Sequence, residues 1–484
     1  MAVAPRLKHT RLVPGGGRFV RSGPGLVGMA ACSSRARGYN CAVPVRIAAL
    51  LCLWVSLAPP RSAAAEAESA PRELSLAEAL RIASQRSPVL AQVRAELAVA
   101  EGRRIQSRAP LLPQVTASAA YARVHGAGTA QLSTAPGGSS ADLSSGSGTY
   151  DRFAFGVAAT QTIWDYEAIE TLRAAGLTVD AARATERASQ LQTALDVRTL
   201  FFQARAARAL IGVQEAAFEN QRQNLEEVRS FVQVGVRPEI DLLQAQTDLA
   251  NARVSLLTAR NTYGIAKASL RQAIGWTEAS DFEVGNDTLP ELSQEGRALP
   301  VLLSAALQRR PELLRLKRSR AAADATLSAA RGSYWPTLAA NAGASEIGRT
   351  PNDLNLNWNI GLSVNWQLFQ GGLSAGQVDE ARALLAVQES QYDTLVLQVQ
   401  FEVEQARSTI ENTSASLSAA EEALQLARSQ LEQAQARYRQ GISTIIELRD
   451  AQFGLTSASA QLVQAQLDLY RARAQLMAAL GQDA

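Results

Sequence analysis

A ladder of leucine and alanine residues runs through the last part of each half of the chain. In the first half, large apolar residues recur every seven positions and alanines follow three positions behind: Leu242, Leu249, Leu256, Tyr263 and Leu270, with Ala245, Ala252, Ala259, Ala266 and Ala273. The second half repeats the ladder with a constant shift (448 against 242), from Leu448 to Ala479. This spacing forms the seam of a coiled coil, and alanine at every second seam position lets a neighbouring helix approach closely. The chain is therefore expected to contain one long helical hairpin, built twice.

A second seven-residue pattern precedes each ladder and predicts the outgoing helix of each hairpin. Residues 166–234 contain no proline, and at roughly 1.5 Å per residue they predict a helix on the order of 100 Å long. The second outgoing helix has its seam at Val396, Val403, Ile410, Leu417, Leu424, Leu431 and Tyr438. Gly235 and Gly441 are expected to end these helices, and Pro238 to begin the first return helix.

Two pairs of segments with alternating polarity lie between the helices. In the first pair, residues 115–121 and 153–164 flank a Gly/Ser-rich stretch at 126–148, which predicts a flexible loop. In the second pair, apolar residues at every second position from 354 to 368 alternate with Asn, Gly, Ser and Gln. The short segment 345–353 is expected to replace the long loop there. Trp164, Tyr334, Trp335 and Trp366 near the strand ends predict an interfacial aromatic girdle, with ordinary packing as the alternative.

So long an alternation is typical of an outer-membrane strand. A soluble sandwich strand with one solvated face is the alternative. The membrane interpretation is favoured because each pair stands isolated between long helices, without a partner sheet.

The N-terminal segment has the layout of a secretory signal. Residues 1–65 carry nine of the 48 basic residues and no acidic residue, and an apolar run at 47–57 precedes prolines and small residues. This predicts cleavage near Glu66 or Glu68, with translation starting at Met1 or Met29. All three cysteines lie in this leader. Cys52, within the apolar run, follows Leu50 and Leu51 rather than the small residue expected before a lipidated cysteine, so the exported chain is expected to carry no lipid.

Composition and charge exclude several classes of function. Without the leader, 39 basic residues face 45 acidic ones, and a mildly acidic protein has no reason to bind nucleic acid. One histidine and no cysteine remain, so zinc clusters and histidine-based triads are unavailable. We therefore expect no enzyme, no cofactor and no metal site.

These patterns together predict an internally duplicated, mainly α-helical α+β chain. We expect a leader at 1–65, a first repeat at 66–275, a linker at 276–300 and a second repeat at 301–484, each repeat holding a helix, a β-hairpin, a long helix and a return helix. Four strands cannot close a barrel, and lipid does not tolerate an open sheet edge. Several chains must therefore pool their strands in the membrane, while the long helices extend the assembly as a tube.

The two turn sequences are the closest local matches to a known family. They read VGVRPEIDLLQAQ at 234–246 and YRQGISTIIELRDAQ at 438–452. With the duplicated order of elements, they make the chain resemble the outer-membrane efflux proteins, the TolC-like channels. The resemblance implies a homotrimer with a β-barrel in the outer membrane and a helical tunnel across the periplasm. It also implies a periplasmic adaptor, an inner-membrane transporter, and passive export of drugs, metals or secreted protein.

The resemblance further implies a constriction at the periplasmic helix tips. Matched by position, its residues are Asp241, Tyr438, Glu447 and Asp450. The arginine expected two residues after the second turn glycine is replaced by Ser443, whereas the first copy has Arg237 at the equivalent position. The turn residues Gly235, Pro238, Gly441 and Ser443 are the candidates for adaptor docking.

Two alternatives stay open at this stage. The acidic residues near the turns follow the rules for helix caps, since carboxylates favour the first turn of a helix and Thr444 with Glu447 has capping-box spacing. They are therefore either caps alone or caps that also face a pore. A trimeric coiled-coil surface stalk with structural or adhesive function is the alternative to a channel.

Overall fold

The computed structural model describes residues 72–126, 148–277 and 281–482. The predicted leader and most of the Gly/Ser-rich stretch lie outside these residues. The helices are α1 (Leu76–Arg86), α2 (Pro88–Arg108), α3 (Tyr166–Gln233), α4 (Glu239–Ile274), α5 (Leu299–Arg309), α6 (Pro311–Gly332), α7 (Leu373–Arg439) and α8 (Ile445–Ala479). The strands are β1 (Arg72–Leu74), β2 (Gln114–Gly126), β3 (Gly148–Trp164), β4 (Phe282–Val284), β5 (Thr337–Thr350) and β6 (Asp353–Asn365).

The two outgoing helices are as long as the seam predicts. Helix α3 has 68 residues and α7 has 67, so each is roughly 100 Å long. The side chain of Asp165 caps α3 by accepting a hydrogen bond from the backbone N–H of Ala168 at 3.0 Å. Apolar seam residues such as Val197, Val228 and Val403 are buried. The predicted length, and the position where each helix ends, are confirmed.

The four long helices lie side by side in a row. Helix α4 packs against α3, α8 packs against α7, and α3 also packs against α8, which gives the order α4–α3–α8–α7. The alanines and leucines of the ladders face these contacts, and the buried ones include Ala245, Leu270, Leu448 and Leu476. Because α8 has a neighbour on both sides and α4 lies at an end of the row, the second ladder is the more deeply buried.

The two predicted hairpins form one antiparallel sheet with the strand order β2-β3-β5-β6. The expectation that each hairpin lacks a partner sheet was wrong, because β3 pairs directly with β5. Helix α6 packs along α3 and returns the chain to the point where α3 began. There a Cβ atom on Gly332 would lie 2.7 Å from the backbone nitrogen of Glu167, so a larger residue would keep the two helices apart.

The second hairpin is longer and tighter than predicted. The segment 345–353 is not a loop, because β5 continues to Thr350 and Thr350 pairs with Asp353. Small residues with a weak alternation hid the end of this strand. Strand β6 ends at Asn365, short of the predicted residue 368.

The sheet has one apolar and one polar face. A row that crosses all four strands joins Ala117, Val157, Ala344 and Trp358 through successive pairings. The next row, on the opposite face, joins Ser118, Gly156, Ser345 and Asn357. Val157 and Trp358 are exposed, as are the aromatic residues at the helix-proximal end of the sheet: Trp164, Tyr334, Trp335 and Trp366. Their exposure favours the aromatic girdle over ordinary packing.

A second, two-stranded sheet lies beside the helices and was not predicted. Strand β1 pairs with β4 in parallel, with Leu74 opposite Val284, and both residues are buried with Phe282 against α3 and α4. The segment 276–300 therefore contributes to a core. Three-residue strands are too short to show an alternation in the sequence. None of the helices within the described ranges is long and apolar enough to cross a membrane.

Candidate functional site at the two helix turns

The two glycine turns have the same backbone geometry. Gly235 and Gly441 both have φ of 75°, a left-handed conformation that favours glycine. The N–H of Val236 donates to the carbonyl of Phe231 at 2.9 Å, and the N–H of Ile442 donates to that of Arg437 at 3.0 Å. This is the Schellman motif, which satisfies the last carbonyl groups of a helix. Each long helix therefore ends in a fixed reversal rather than a loose loop.

The first turns of the return helices carry acidic residues, as expected of helix caps. Thr444 caps α8 by accepting a hydrogen bond from the N–H of Glu447 at 3.4 Å. Pro238 is the N-cap of α4, and Glu239 and Asp241 lie in the first turn, where the helix dipole favours negative charge. The capping interpretation therefore accounts for these positions whether or not they also face a pore.

Arg237 of the first turn joins the second turn. Its guanidinium carbon lies 4.7 Å from the centroid of the Tyr438 ring, and its Nη2 donates to the backbone carbonyl of Ser443 at 3.4 Å. Tyr438 is only 1% exposed and contacts Phe231 edge to face. The position two residues after Gly441 thus contributes its carbonyl, and the arginine that binds there comes from the other copy.

Tyr438 lies in a mixed electrostatic environment. Burial raises the pKa of its hydroxyl, the positive charge of Arg237 lowers that pKa, and the negative charges of Asp241 and Glu227 raise it. The hydroxyl oxygen has no hydrogen-bond partner among the described residues. The ring is therefore held by apolar packing that includes Phe231 and by the cation–π contact with Arg237, which strengthens when it is desolvated.

The structure brings together only part of the predicted constriction set. Tyr438, Arg237 and the Ser443 carbonyl are in contact, and the charge of Asp241 acts on Tyr438. The other two acids have partners within their own hairpin: Glu447 lies 3.4 Å from Arg437, and Asp450 lies 3.8 Å from its neighbour Arg449. Both carboxylates are well exposed.

Two further contacts between the hairpins were missed in the sequence. Arg439 lies 3.3 Å from Glu227, and Gln221 donates to Gln452 at 2.9 Å between α3 and α8. A seven-residue pattern assigns residues to the face of one helix but does not pair polar residues on two different hairpins. Among the described residues, no group of three His, Cys, Asp or Glu side chains is arranged to hold a metal ion.

Comparison with known proteins finds a matching protein family and several relatives of similar sequence. Residues 79–276 and 302–482 match the family described as outer membrane efflux protein. The chain is 25% identical over 307 residues to the toluene efflux pump outer membrane protein TtgI of Pseudomonas putida, covering 62% of this chain and 64% of TtgI. It is 25% identical over 395 residues to the outer membrane protein TolC of Escherichia coli, covering 78% of this chain and 76% of TolC. The alignment with TtgI therefore spans less than two thirds of that protein's length.

Solved structures share the fold across most of the described chain. A structure of CusC superimposes with a TM-score of 0.74 at 17% identity, covering 84% of this chain and 92% of CusC. The open-state MtrE outer membrane channel of Neisseria gonorrhoeae superimposes with a TM-score of 0.69 at 19% identity, covering 84% of this chain and 88% of MtrE. At this level of identity, the likeness is one of fold.

Proposed function

The chain belongs to the outer membrane efflux protein family, and from that premise we propose that it is an outer-membrane channel. It would act as the exit duct of a tripartite efflux pump or of a type I secretion system. The duct is a passive conduit, and an inner-membrane transporter drives and selects the substrates. Drug export, metal export and protein secretion all fit such a duct.

This proposal rests on one observation: within the described residues, the sheet and the helix row each end in two elements that have a neighbour on one side only. Strands β2 and β6 are the two edges of the sheet, and α4 and α7 are the two ends of the helix row. The outer faces of these helices expose large apolar residues: Val254, Leu257 and Ile265 on α4, and Leu397, Phe401 and Leu426 on α7. Exposed apolar faces of this extent mark interaction surfaces.

Further protomers of the same chain can pair the free sheet edges and cover the exposed helix faces at the same time. In an antiparallel order, β6 of one copy pairs with β2 of the next, while α7 of the first packs on α4 of the second. A homotrimer formed this way closes a barrel from three four-stranded sheets and leaves no edge in lipid. The polar row of Ser118, Ser345 and Asn357 then lines a wet lumen, and the row of Val157 and Trp358 faces lipid.

The partners follow from the same arrangement. The protein is exported with a signal peptide that is then cleaved, and the mature chain carries no lipid. Its barrel lies in the outer membrane, and its helices extend into the periplasm. A periplasmic adaptor docks at the turns, where Gly235, Pro238 and Gly441 are exposed. Ser443 is buried, so its part in docking is indirect, through Arg237.

Conductance and mass measured on one preparation test the proposal. We expect the detergent-purified protein to have the mass of three chains by light scattering and to form discrete conducting steps in planar bilayers. A structural stalk would be trimeric but would conduct little. A protein that stayed monomeric and soluble without detergent would contradict both the channel and the stalk.

A further inference from the structure

Two equivalent clefts lie beside the helix row, one in each of the two internal repeats of the chain. Cleft one lies between the α1–α2 turn, α3 and the last turn of α4, and cleft two lies between the α5–α6 turn, α7 and the last turn of α8. Three positions correspond in the two copies: Ser87 with Arg310, Asp196 with Glu402, and Ala273 with Ala479. Cleft one has a volume of about 710 Å³ and cleft two about 420 Å³.

In cleft two, Arg310 lines the wall, is buried and is bound at two points. Its Nε donates to the backbone carbonyl of Ala479 at 2.7 Å, and its Nη1 lies 2.5 Å from the Glu402 carboxylate. The other oxygen of that carboxylate accepts a hydrogen bond from Gln398 at 2.9 Å. The carbonyl belongs to the last turn of a helix, where carbonyl groups lack intrahelical donors and cations are favoured. Cleft two is thus a guanidinium site filled by the chain itself.

Cleft one has a carboxylate and a helix-end carbonyl at the equivalent positions, Asp196 and Ala273. The Asp196 carboxylate accepts a hydrogen bond from Gln192 at 2.9 Å, as Glu402 does from Gln398. The Ala273 carbonyl lies in the last turn of α4. A Cβ atom on Gly275 would lie 2.5 Å from the carbonyl oxygen of Arg86, so the α1–α2 turn is held tightly against this helix end. The difference is Ser87, whose side chain is too short to reach Asp196.

We propose that cleft one binds an arginine side chain of a partner protein, in the position that Arg310 takes in cleft two. The Asp196 carboxylate and the Ala273 carbonyl accept the hydrogen bonds of the guanidinium. A guanidinium fits this pair of acceptors better than an ammonium does, since its donors are held in one plane at fixed spacing and it is more weakly hydrated. The assignment rests on the fold alone and holds whether or not the protein conducts.

A second copy of this chain does not supply the cation. The wall that α3 adds to cleft two consists of Leu191, Gln192 and Leu195. The residues at the equivalent positions of α7, which a neighbouring copy would bring to cleft one, are Leu397, Gln398 and Phe401. None of these carries a positive charge. Cleft two stays open beside its α3 wall, so cleft one stays accessible beside an equivalent wall.

Calorimetry with a short peptide tests the assignment on the detergent-purified full chain. The probe is acetyl-Gly-Arg-Gly-amide, and its control is the same peptide with citrulline, which has the shape of arginine without the charge. We expect the arginine peptide to bind at least about tenfold more tightly, as a charge-assisted hydrogen-bonded pair provides. Methylguanidinium carries the same donor group, so it should compete with the arginine peptide for the cleft. A peptide that methylguanidinium does not displace is held by other contacts, and the proposed guanidinium position is then overturned.

Variants of the carboxylate locate the binding. Asp196→Asn should weaken peptide binding about tenfold. Asp248→Asn is the matched control, because Asp248 also accepts a hydrogen bond from a glutamine four residues earlier but lies outside the cleft. Binding unchanged in Asp196→Asn, or equal loss in both variants, overturns the proposal.

Filling the cleft from within is the second test. Ser87→Arg should abolish peptide binding and raise the thermal unfolding midpoint, and adding Asp196→Asn should cancel that rise. Retained peptide binding in a folded Ser87→Arg protein contradicts the proposed position. Should Ser87→Arg fail to fold because Ser87 is buried, the exposed Asp196 variant still decides.

Discussion

The guanidinium of Arg237 lies over the ring of Tyr438, so the turn of one hairpin binds the end of the outgoing helix of the other. Resemblance to the family placed the arginine at position 443, where the chain has serine. The repeat is nearly symmetrical, so Gly235 and Gly441 hold equivalent turns and an arginine two residues after either glycine lies near the other turn. The chain therefore contains an arginine–tyrosine contact in which the arginine comes from the first copy.

Loss of that arginine should loosen the turns. In Arg237→Gln, Tyr438 loses its cation–π contact, worth about 1 kcal/mol for a partly buried pair, and the Ser443 carbonyl loses a charged donor. We expect a larger single-channel conductance in planar bilayers. The control is Arg229→Gln, because Arg229 lies near the end of α3, is exposed and pairs with Glu226 on its own helix. Equal conductance in the two variants would reject a gating role for Arg237.

Neutralising the acids near the turns tests whether they face a pore. The triple variant Asp241→Asn, Glu447→Gln and Asp450→Asn should lower cation selectivity, because rings of carboxylates at a constriction attract cations. The measurement is the reversal potential across a planar bilayer with a salt gradient. An unchanged reversal potential would leave these residues as helix caps alone. Glu239→Gln, in the same first turn of α4, serves as a single-site comparison.

Arg310 should matter far more to stability than its neighbour Arg309. Arg310 is buried and bonded to Glu402 and to the Ala479 carbonyl, whereas Arg309 is exposed. Removing one partner of a fully buried ion pair costs about 3–5 kcal/mol. Because the Glu402 side chain is 33% exposed, water compensates part of its charge, and a loss of about 3 kcal/mol or less is expected. Arg310→Ala should therefore lower the thermal unfolding midpoint strongly, and Arg309→Ala should hardly change it. Similar midpoints for the two variants would contradict the buried pair.

Two glycines with nearly the same backbone conformation should differ in their tolerance of alanine. Gly235 has φ of 75° and Gly275 has φ of 68°, so alanine costs about 1–2 kcal/mol of backbone strain at either position. At Gly235 no heavy atom of the described residues, apart from the two adjoining ones, lies within 4 Å of the added Cβ, but at Gly275 the Arg86 oxygen lies at 2.5 Å. Gly275→Ala should therefore lower the free energy of unfolding clearly more than Gly235→Ala, as measured by denaturant titration. Equal losses would show that the close approach is relaxed at no cost.

Tyr263 should make stability fall in alkaline solution. Burial first, and then its hydrogen bond to Glu283 at 2.6 Å, raise the pKa of this hydroxyl well above its ordinary value of 10.0. The folded state then holds the proton more tightly than the unfolded state. The stabilisation is complete below about pH 10 and is lost as the pH rises through the raised pKa.

The comparison variant is Tyr263→Phe. The difference in unfolding free energy between wild type and this variant should shrink from about pH 10 upward, measured by denaturant titration at several pH values. A difference that stayed constant with pH would refute the raised pKa.

The elements with long periodic patterns were predictable from the sequence, and the reason is physical. A seam such as Val197 to Val232 repeats over many helical turns, so its period is recognisable even where a single position departs from the pattern. The alternation from Leu354 to Val364 identified β6 for the same reason. The end of β5 was missed because Ser345 and Gly348 are small and contribute little contrast between the two faces.

What lay beyond the sequence were contacts between distant segments. The pairing of β3 with β5 depends on α6 returning along α3, and the β1–β4 sheet joins residues 72–74 to 282–284. At the turns, the periodicity placed Tyr438 at the seam and the resemblance singled out Arg237, but only the fold shows that the two touch. Helix patterns specify which face is buried and do not specify the partner.

The unpaired edges of β2 and β6 bear on how such a protein reaches its final place. A lone chain in a bilayer would present two rows of backbone N–H and C=O groups to hydrocarbon, and each unsatisfied group is expensive. In the trimer that we propose, insertion and oligomerisation are therefore expected to be coupled and to depend on chain concentration. A chain damaged at β2 alone would still recruit an intact neighbour through β6, so a minority of defective copies would disable many sound ones.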